Sequence, residues 1–272
     1  MNNQDNIKTA VIKIGGSVLT KQVHLNRFAR QVSALTSMGV KCLIVHGGGP
    51  HINALLKEKG IATTAINGIR ITDEPTMQVV EEALAEVKKA ITSSLLTECL
   101  TTENSSGDTI YFKVKKMKAL LSEDGQLVNP GLVGEVTSVN LESIDMASLN
   151  PVIISPIGKD KYGTKHNINA DNAAMALAGK LHSEHLVFLS DVAGVFANPN
   201  ELNSILSNLS YKEAEKLVKT GKVKGGMIQK ITNSLGALRR GVAAVYIADG
   251  RESDGLINLL VHKHPTGTKI VA

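Results

Sequence analysis

Residues 10–50 decide the fold, because they hold two apolar stretches that each end in glycine: AVIKIGGS at 10–17 and VKCLIVHGGGP at 40–50. Between these stretches, residues 22–37 carry apolar side chains at helical spacing. A strand, a helix and a second strand in that order form a βαβ unit, whose two strands run parallel. We therefore expect an α/β protein built on a parallel sheet.

The same alternation continues to the end of the chain. Further strands are predicted at 152–155, 186–189, 243–247 and 268–271, and further helices at 169–181, 211–220, 227–240 and 253–262. Residues 74–100 predict one long helix with Pro75 in its first turn. Asp171 can cap the helix that follows it.

Two segments interrupt this alternation. Residues 61–72 contain Asn67-Gly68 between short alternating stretches, which predicts an antiparallel hairpin that projects as a flap. Residues 101–130 are polar at first and then basic, and we expect loops and edge strands there. Their basic cluster, Lys113 to Lys118, is typical of a solvated face.

Composition limits the class of protein. The 272 residues carry a net charge of +5 and are 43% hydrophobic and 20% charged, as in ordinary globular proteins. Because only 3% are aromatic and Trp is absent, stacking platforms for nucleic acid are scarce, and anionic small molecules explain the positive charge equally well. The chain has only two cysteines and no apolar run of membrane length, which predicts a cytoplasmic protein without a membrane site. Its histidines form no metal-binding pattern, so we expect neither a metal site nor a nucleic-acid site of its own.

The glycine turns at residues 15–16 and 47–49 follow the carboxyl ends of the first two strands. Ligands of open α/β sheets bind at this edge, where glycine lets backbone N–H groups approach an anion. Two such turns at matching positions favour a phosphate or carboxylate site over turns needed for geometry alone. The chain has no P-loop and no dinucleotide-binding glycine motif.

Four charged side chains stand out near these turns. Lys13 lies within an apolar strand, and Arg70 follows the hairpin turn, where its planar fork could grip a carboxylate. Asp171 ends NINAD, which places Asn167, Asn169 and Asp171 at alternate positions. Lys230 follows a third glycine pair. Taken singly, each has an ordinary alternative: an edge-strand lysine, an exposed arginine, a helix cap and a surface lysine.

Six motifs, in this order, resemble those of the N-acetyl-L-glutamate kinases in the amino-acid kinase superfamily: KIGGS (13–17), VHGGGP (45–50), NGIRIT (67–72), NINAD (167–171), SDVAGV (190–195) and GGMIQK (225–230). The resemblance covers nearly the whole chain. It implies a three-layer αβα sandwich around a central, mainly parallel sheet, with two lobes that share this sheet. Residues 1–180 would bind the acyl amino acid and form a homodimer, and residues 181–272 would bind ATP with Mg²⁺.

The resemblance also implies roles by matching position. Lys13 and Lys230 would stabilise the transferring phosphoryl group, and Asp171 would orient them. Gly15 and Gly16 would approach the phosphates, while Mg²⁺ would be held mainly by those phosphates. Contacts to the acyl amino acid are implied for Gly48, Gly49, Arg70, Asn167 and Asn169. Nucleotide contacts are implied for Asp191, Val192, Ala193, Gly194, Val195, Phe196, Val223 and Lys224.

The expected activity is ATP-dependent phosphorylation of the γ-carboxylate of N-acetyl-L-glutamate in arginine biosynthesis. A carboxylate is already ionised at neutral pH, so its attack on phosphorus needs cations rather than a general base. Two alternatives stay open: a kinase for a related acid, such as N-acetyl-aminoadipate or a carrier-linked amino acid, and a sensor that binds without transfer. Residues 104–109 depart from the family's glycine-rich pattern and favour the first alternative. The short segment before the first strand predicts a dimer without arginine regulation.

Overall fold

A computed structural model of the chain describes residues 8–103, 109–122, 124–198, 201, 203–262 and 266–272. The helices are α1 (Gln22–Ser37), α2 (Gly49–Glu58), α3 (Glu74–Thr97), α4 (Ala170–Leu181), α5 (Tyr211–Lys219), α6 (Gly226–Leu238) and α7 (Gly255–Ile257), the last continuing as a π-helical turn (Asn258–His262). The strands are β1 (Lys8–Ile14), β2 (Val40–His46), β3 (Ala65–Ile66), β4 (Ile69–Arg70), β5 (Phe112–Lys116), β6 (Leu120–Leu121), β7 (Leu127–Val128), β8 (Gly134–Val139), β9 (Val152–Ile154), β10 (Ile157–Lys159), β11 (Lys165–Asn167), β12 (His185–Ser190), β13 (Asn208–Ser210), β14 (Ala244–Asp249) and β15 (Gly267–Val271).

The centre of the molecule is a seven-stranded sheet in the order β13-β15-β14-β12-β1-β2-β9. Every neighbouring pair is parallel except β14 and β15. The prediction of a mainly parallel sheet is therefore confirmed. Because β12 pairs with β1, the strands on either side of residue 180 belong to one sheet.

Helices cover both faces of this sheet. Successive side chains of a strand point to opposite faces. Ile12 and Ile44 accordingly pack in one cluster with α1, α3 and α7, whereas Val11 and Leu43 pack in another with α4, α5 and α6. The result is the predicted three-layer αβα sandwich.

A second sheet, in the order β11-β10-β5-β8, was not predicted from the sequence. The expectation of edge strands over residues 101–130 is wrong for β5, which lies between β10 and β8. Phe112 and Val114 are buried there, while Lys113 and Lys115 between and after them are exposed, so the basic cluster does form a solvated face. The segment that departs from the family's glycine-rich pattern spans residues 104–109, and residues 104–108 of it lie outside the described residues.

The hairpin and the long helix both form as predicted. β3 and β4 pair around Asn67 and Gly68, whose φ angles of 51° and 77° are typical of a two-residue type I′ turn. α3 begins directly after Asp73, whose carboxylate accepts a hydrogen bond from Thr76 N. The hairpin lies beside the glycine turns that follow β1 and β2. No helix among the described residues is long and apolar enough to cross a membrane.

Candidate active site

A cavity of about 300 Å³ lies at the carboxyl ends of β1 and β2, where both glycine turns meet the first turn of α4. Its polar and glycine lining residues are Lys13, Gly15, Gly16, Gly47, Gly48, Gly49, Gly68, Arg70, Asn167, Asn169 and Asp171. Apart from Gly68, all of these were singled out in the sequence for phosphate, acid or phosphoryl contacts. The fold therefore gathers side chains from distant parts of the chain around one space.

Asp171 stands between two lysines. Its Oδ1 lies 2.9 Å from the Nζ of Lys13, and its Oδ2 lies 2.8 Å from the Nζ of Lys230, which donates a hydrogen bond. Burial opposes ionisation of this carboxyl, but the two ammonium groups outweigh it and lower its pKa to about 2. One carboxylate thus holds β1, α4 and α6 together and keeps two cations side by side.

Asp171 does not cap α4, so the ordinary alternative for this residue is wrong. Asn169 is the cap, and its side-chain oxygen accepts hydrogen bonds from the backbone N–H groups of Asp171 and Asn172. Asn and Asp are almost equally good caps, so helix propensity alone does not separate two such residues two positions apart. Asn169 is the cap because the two lysines engage both carboxylate oxygens of Asp171.

The first glycine turn leaves no room for larger residues. A Cβ on Gly15 would lie 2.8 Å from the Lys13 ammonium nitrogen, and a Cβ on Gly16, whose φ is +59°, would overlap the Asp191 carboxylate. The second turn is tied to the first by a 2.8 Å hydrogen bond from Gly47 N to Ile14 O. α2 then starts after Gly48 with no side-chain cap, so its first N–H groups remain available to an anion in the cavity.

His46 supports this second turn from below. Its ring is fully buried, with Nδ1 3.0 Å from the Gly47 carbonyl oxygen and Nε2 2.9 Å from Ser155 Oγ. Since a carbonyl only accepts, Nδ1 carries the proton and Nε2 accepts from the serine hydroxyl. Burial lowers the pKa of His46 to about 4, so the ring is neutral and structural at neutral pH.

Arg70 closes the opposite side of the cavity from the hairpin. Its Nη2 donates to Asn53 Oδ1 on α2, a partner that was missed in the sequence. A signal existed, since Asn53 follows Gly49 by four residues and therefore shares its helix face. Partial burial lowers the pKa of the guanidinium, which still stays charged. Asn167 at the end of β11 donates to Thr72 Oγ1 at 3.2 Å.

The expected nucleotide stretch begins at the carboxyl end of β12. Residues 191–196, with Val223 and Lys224, do not line the cavity at the lysines. Val195 is buried and its N–H donates to Thr268 Oγ1 at 2.7 Å, whereas Val192 and Lys224 are exposed. Asp191 approaches Gly16, and its carbonyl oxygen accepts from Arg251 Nη2 at 3.2 Å. The stretch therefore adjoins the first glycine turn on the side away from Arg70.

The cysteines lie away from this site. Cys42 is buried within β2, and burial raises the pKa of its thiol to about 12. Cys99 is exposed just after α3. In the part of the chain that the structure describes, no group of three or more His, Cys, Asp or Glu side chains could hold a metal ion.

The chain is similar in sequence to a family model and to acetylglutamate kinases of two bacteria. A family model described as the amino acid kinase family matches residues 8–249. An acetylglutamate kinase from Nitrosospira multiformis is 37% identical over 270 residues, which cover 97% of this chain and 91% of the relative. An acetylglutamate kinase from Acinetobacter baumannii is 34% identical over 271 residues, which cover 97% of this chain and 88% of the relative.

Solved structures with similar folds form a wider group. The protein smu.665 from Streptococcus mutans UA159 has a TM-score of 0.79 and 29% identity, covering 97% of this chain and 98% of its own. N-acetylglutamate synthase from Neisseria gonorrhoeae, complexed with coenzyme A and N-acetyl-glutamate, has a TM-score of 0.86 and 22% identity over 99% of this chain, which spans 60% of the synthase. Carbamate kinase from Giardia lamblia bound to AMP-PNP has a TM-score of 0.68 and 16% identity, covering 97% of this chain and 98% of its own.

Proposed function

The chain belongs to the amino acid kinase family, and on that premise we propose that it transfers the γ-phosphoryl group of ATP to the γ-carboxylate of N-acetyl-L-glutamate, producing an acyl phosphate for arginine biosynthesis. The observation that carries the proposal is the pair of lysine ammonium groups held on Asp171 beside the cavity that Arg70 closes. One end of this cavity suits a phosphoryl group, and the other suits a carboxylate.

The acid would lie between these two ends. Arg70, with five N–H donors in a planar fork, would bind the α-carboxylate, and Asn167 and Asn169 would contact the acylamino group. Gly48 and Gly49 offer backbone N–H groups without side chains in the way. This arrangement directs the γ-carboxylate towards Lys13 and Lys230.

The reaction needs charge stabilisation more than proton transfer. The γ-carboxylate is already ionised, and its oxygen forms a bond to the γ-phosphorus while the bond from that phosphorus to the bridging oxygen of ADP breaks. ADP leaves with the electron pair, so no proton is moved. The two lysines and the N–H groups of the glycine turns would stabilise the charge on the transferring group. Asp171 positions both cations and does not act as a base, because its pKa lies near 2.

The nucleotide would approach from the other side of the first glycine turn. We propose that Gly15 and Gly16 contact its phosphates and that Asp191, Val192, Ala193, Gly194, Val195, Phe196, Val223 and Lys224 contact its nucleoside. AMP-PNP, which is bound to the carbamate kinase of similar fold, is an ATP analogue and is consistent with this assignment.

Mg²⁺ would accompany ATP. Both oxygens of Asp171 are engaged by lysines, and the described residues supply no cluster that could enclose the ion. A protein site of this kind fits a magnesium ion that is held mainly by the phosphate oxygens of ATP and by water. When bound, it would neutralise phosphate charge, while the lysines act on the transferring group.

The proposed organisation follows the same division. Residues 1–180 would bind the acyl amino acid and form the contacts of a cytoplasmic homodimer, and residues 181–272 would bind ATP. The hairpin with Arg70 and β11 with Asn167 both lie in the first part, which supports this division. Light scattering of the purified protein should give twice the chain mass of 28.9 kDa, and a monomer at micromolar concentration would contradict the dimer.

Trapping of the acyl phosphate tests the proposed activity. Purified protein, MgATP and hydroxylamine should form a hydroxamate with N-acetyl-L-glutamate at a higher kcat/KM than with N-acetyl-L-aminoadipate. A higher kcat/KM for the longer acid would assign the enzyme to that acid instead. Nucleotide binding without hydroxamate from either acid would identify a sensor that performs no transfer.

A further inference from the structure

A second cavity, of about 310 Å³, lies directly behind the wall of the proposed acid site. It is bounded by α3 on one side and by the chain at residues 155–157 on the other. Its lining residues are Glu81, Leu84, Ala85, Lys88, Lys89, Thr92, Ser93, Thr109, Ile110, Ser155, Ile157 and Lys165. No role in the proposed phosphoryl transfer falls to this space.

The wall between the two cavities is thin. Leu84 is the one described residue that lines both of them, and its side chain is otherwise fully buried. Along the neighbouring chain, Ser155 and Ile157 face the second cavity, while Pro156 between them faces the acid site. Removal of the Leu84 side chain would therefore join the two spaces.

Leu84 also presses on the acid site itself. A Cβ on Gly48 would lie 2.7 Å from Leu84 Cδ2 and 3.4 Å from Ile52 Cδ1. Gly48 has no side chain because these two residues occupy the space that it would need. Leu84 and Ile52 thus form an apolar patch beside the second glycine turn.

Chemistry places the acyl group at this patch, provided that the proposed function holds. An N-acylated glutamate has two carboxylates, of which one would face the lysines and the other Arg70. The apolar side chains that line the acid site are Pro50, Ile52, Ala65, Ile69, Leu84, Val133, Pro156, Ile168 and Ala170, and among the described residues only Leu84 of these also lines the second cavity. We infer that Leu84 limits the N-acyl group to acetyl, and that the second cavity is a latent subsite for longer acyl chains.

The lining of the second cavity indicates which chains it would take. Thr92, Ser93 and Ser155 supply hydroxyl groups, and Lys88 and Lys89 supply positive charge along α3. Because Glu81 pairs with Lys165, Lys88 and Lys89 give this cavity a net positive charge, which favours a chain ending in a carboxylate over an alkyl chain. Among longer acyl groups, succinyl should therefore gain more than butyryl from an opened wall.

The test compares Leu84→Ala with Leu56→Ala. Both leucines belong to the same apolar cluster with Ile52 and Met77 and are 1% exposed, but Leu56 lines neither cavity. The hydroxamate assay gives kcat/KM for N-acetyl-, N-propionyl-, N-butyryl- and N-succinyl-L-glutamate, each relative to N-acetyl-L-glutamate. We expect the butyryl and succinyl ratios to rise by about tenfold or more in Leu84→Ala and to stay within about twofold of the parental ratios in Leu56→Ala.

The outcomes separate this inference from the proposed function. Equal ratios in the two variants, or a gain for propionyl alone, would overturn the inference, because the chain would not be entering the second cavity. If the parental protein forms no hydroxamate from N-acetyl-L-glutamate, the proposed function fails first. Leu84→Val with Leu56→Val as its control, a smaller truncation, gives the same comparison should the alanine variants not fold.

Discussion

At the scale of single residues, the site depends on a carboxylate that has two cationic partners. Asp171 is buried, and such a group is stable as an anion only while opposite charges lie close to it. The carboxylate in turn stabilises Lys13 and Lys230, because it offsets the repulsion between their ammonium groups. Each member therefore positions the other two.

Replacement of Lys230 by methionine tests this dependence. We expect kcat to fall by about 10² or more, because one of two cations near the transferring group is lost, while KM for the acid changes less. The pKa of Asp171 should rise towards its ordinary value of 3.8, so the stability that the parental protein loses from this carboxylate between about pH 3.8 and pH 2 should be smaller in the variant. The measurements are steady-state kinetics and urea unfolding between pH 2 and 5.

Lys219→Met is the matched control. Lys219 forms an exposed ion pair with Glu215 at 2.8 Å on α5, and such pairs contribute less than about 1 kcal/mol. We expect parental kcat in this variant. A kcat within twofold of parental for Lys230→Met would contradict a role for Lys230 in phosphoryl transfer.

His46 predicts a separate pH dependence. Its pKa is about 4 in the folded protein and near 6.5 in the unfolded chain, so the unfolded chain takes up the proton first as pH falls. Stability should therefore be complete above pH 6.5 and decrease by about 3 kcal/mol from this group by pH 4. Asp171, with a pKa lowered from 3.8 to about 2, loses its contribution only below that window.

The His46→Asn variant isolates the first window. The amide is expected to keep a hydrogen bond to the Gly47 carbonyl but does not titrate. The free energy of unfolding, measured in urea at intervals from pH 4 to 7, should fall less steeply in the variant than in the parental protein. Identical slopes would show that His46 is not the group that titrates.

At the scale of elements, the hairpin of β3 and β4 links turn geometry to acid binding. Each strand has only two residues, and Arg70 ends the second one. Gly68 adopts a φ of +77°, which a residue with a Cβ adopts only with strain. Any strain at this turn would therefore act on the residue that is proposed to hold the α-carboxylate.

Gly68→Ala and Gly60→Ala form a matched pair. Both glycines have positive φ, at +77° and +67°, and a Cβ at either position would meet nothing within 4 Å. We expect both variants to lose about 1 kcal/mol of stability, since only backbone strain is added. KM for the acid should rise several-fold in Gly68→Ala alone. Equal KM values would show that the hairpin does not position Arg70.

The start of α4 offers a second test at this scale. Asn169 accepts two backbone hydrogen bonds at the helix N-terminus, and its replacement by alanine should cost about 1 kcal/mol in the free energy of unfolding. Asn169→Ser should retain most of this stability, because serine is also a good cap. If serine destabilises as much as alanine, the side chain is needed for something other than capping.

The elements that were predictable have strong internal patterns. The sequence spacing predicted α1 at residues 22–37, its observed bounds, because its apolar face repeats regularly over four turns. The second sheet was not predictable. β10 and β11 have three residues each, and β5 pairs with β10 more than forty positions away along the chain. Pairing at that distance is decided by packing, which a local pattern does not contain.

The same limit applies to the site. Lys13, Asp171 and Lys230 were found through their motifs, but their mutual contacts come from the order of strands in the sheet. Asn53, Ser155 and Leu84 carry no motif and were missed. Their contacts to Arg70, His46 and Gly48 arise only when α2, α3 and β9 pack around the glycine turns.

At the scale of the whole molecule, one sheet runs through both proposed lobes. β12, from the second lobe, lies between β1 and β14, so the lobes share backbone hydrogen bonds as well as side-chain contacts. The two apolar clusters also take residues from both sides of residue 180. Among the described residues, only the smaller apolar cluster that holds Leu56 and Leu84 lies within a single lobe.

We therefore expect a single cooperative unfolding transition. Far-ultraviolet circular dichroism and the fluorescence of the buried Tyr111 and Tyr246 should report the same midpoint in urea. The first residue lies in the first lobe and the second in the other. Two separate midpoints would show that the lobes unfold independently. Binding of N-acetyl-L-glutamate at 100 times its Kd should raise the free energy of unfolding by about 2.7 kcal/mol.

The ion-paired cluster at Asp171 also has a consequence for how the protein is made. During translation Lys13 is synthesised early, whereas Lys230 is synthesised only after most strands of the sheet. β14 and β15 follow later still. A nascent or prematurely terminated chain thus holds Asp171 beside one ammonium group instead of two. Translation must therefore be almost complete before the chain can transfer a phosphoryl group from ATP.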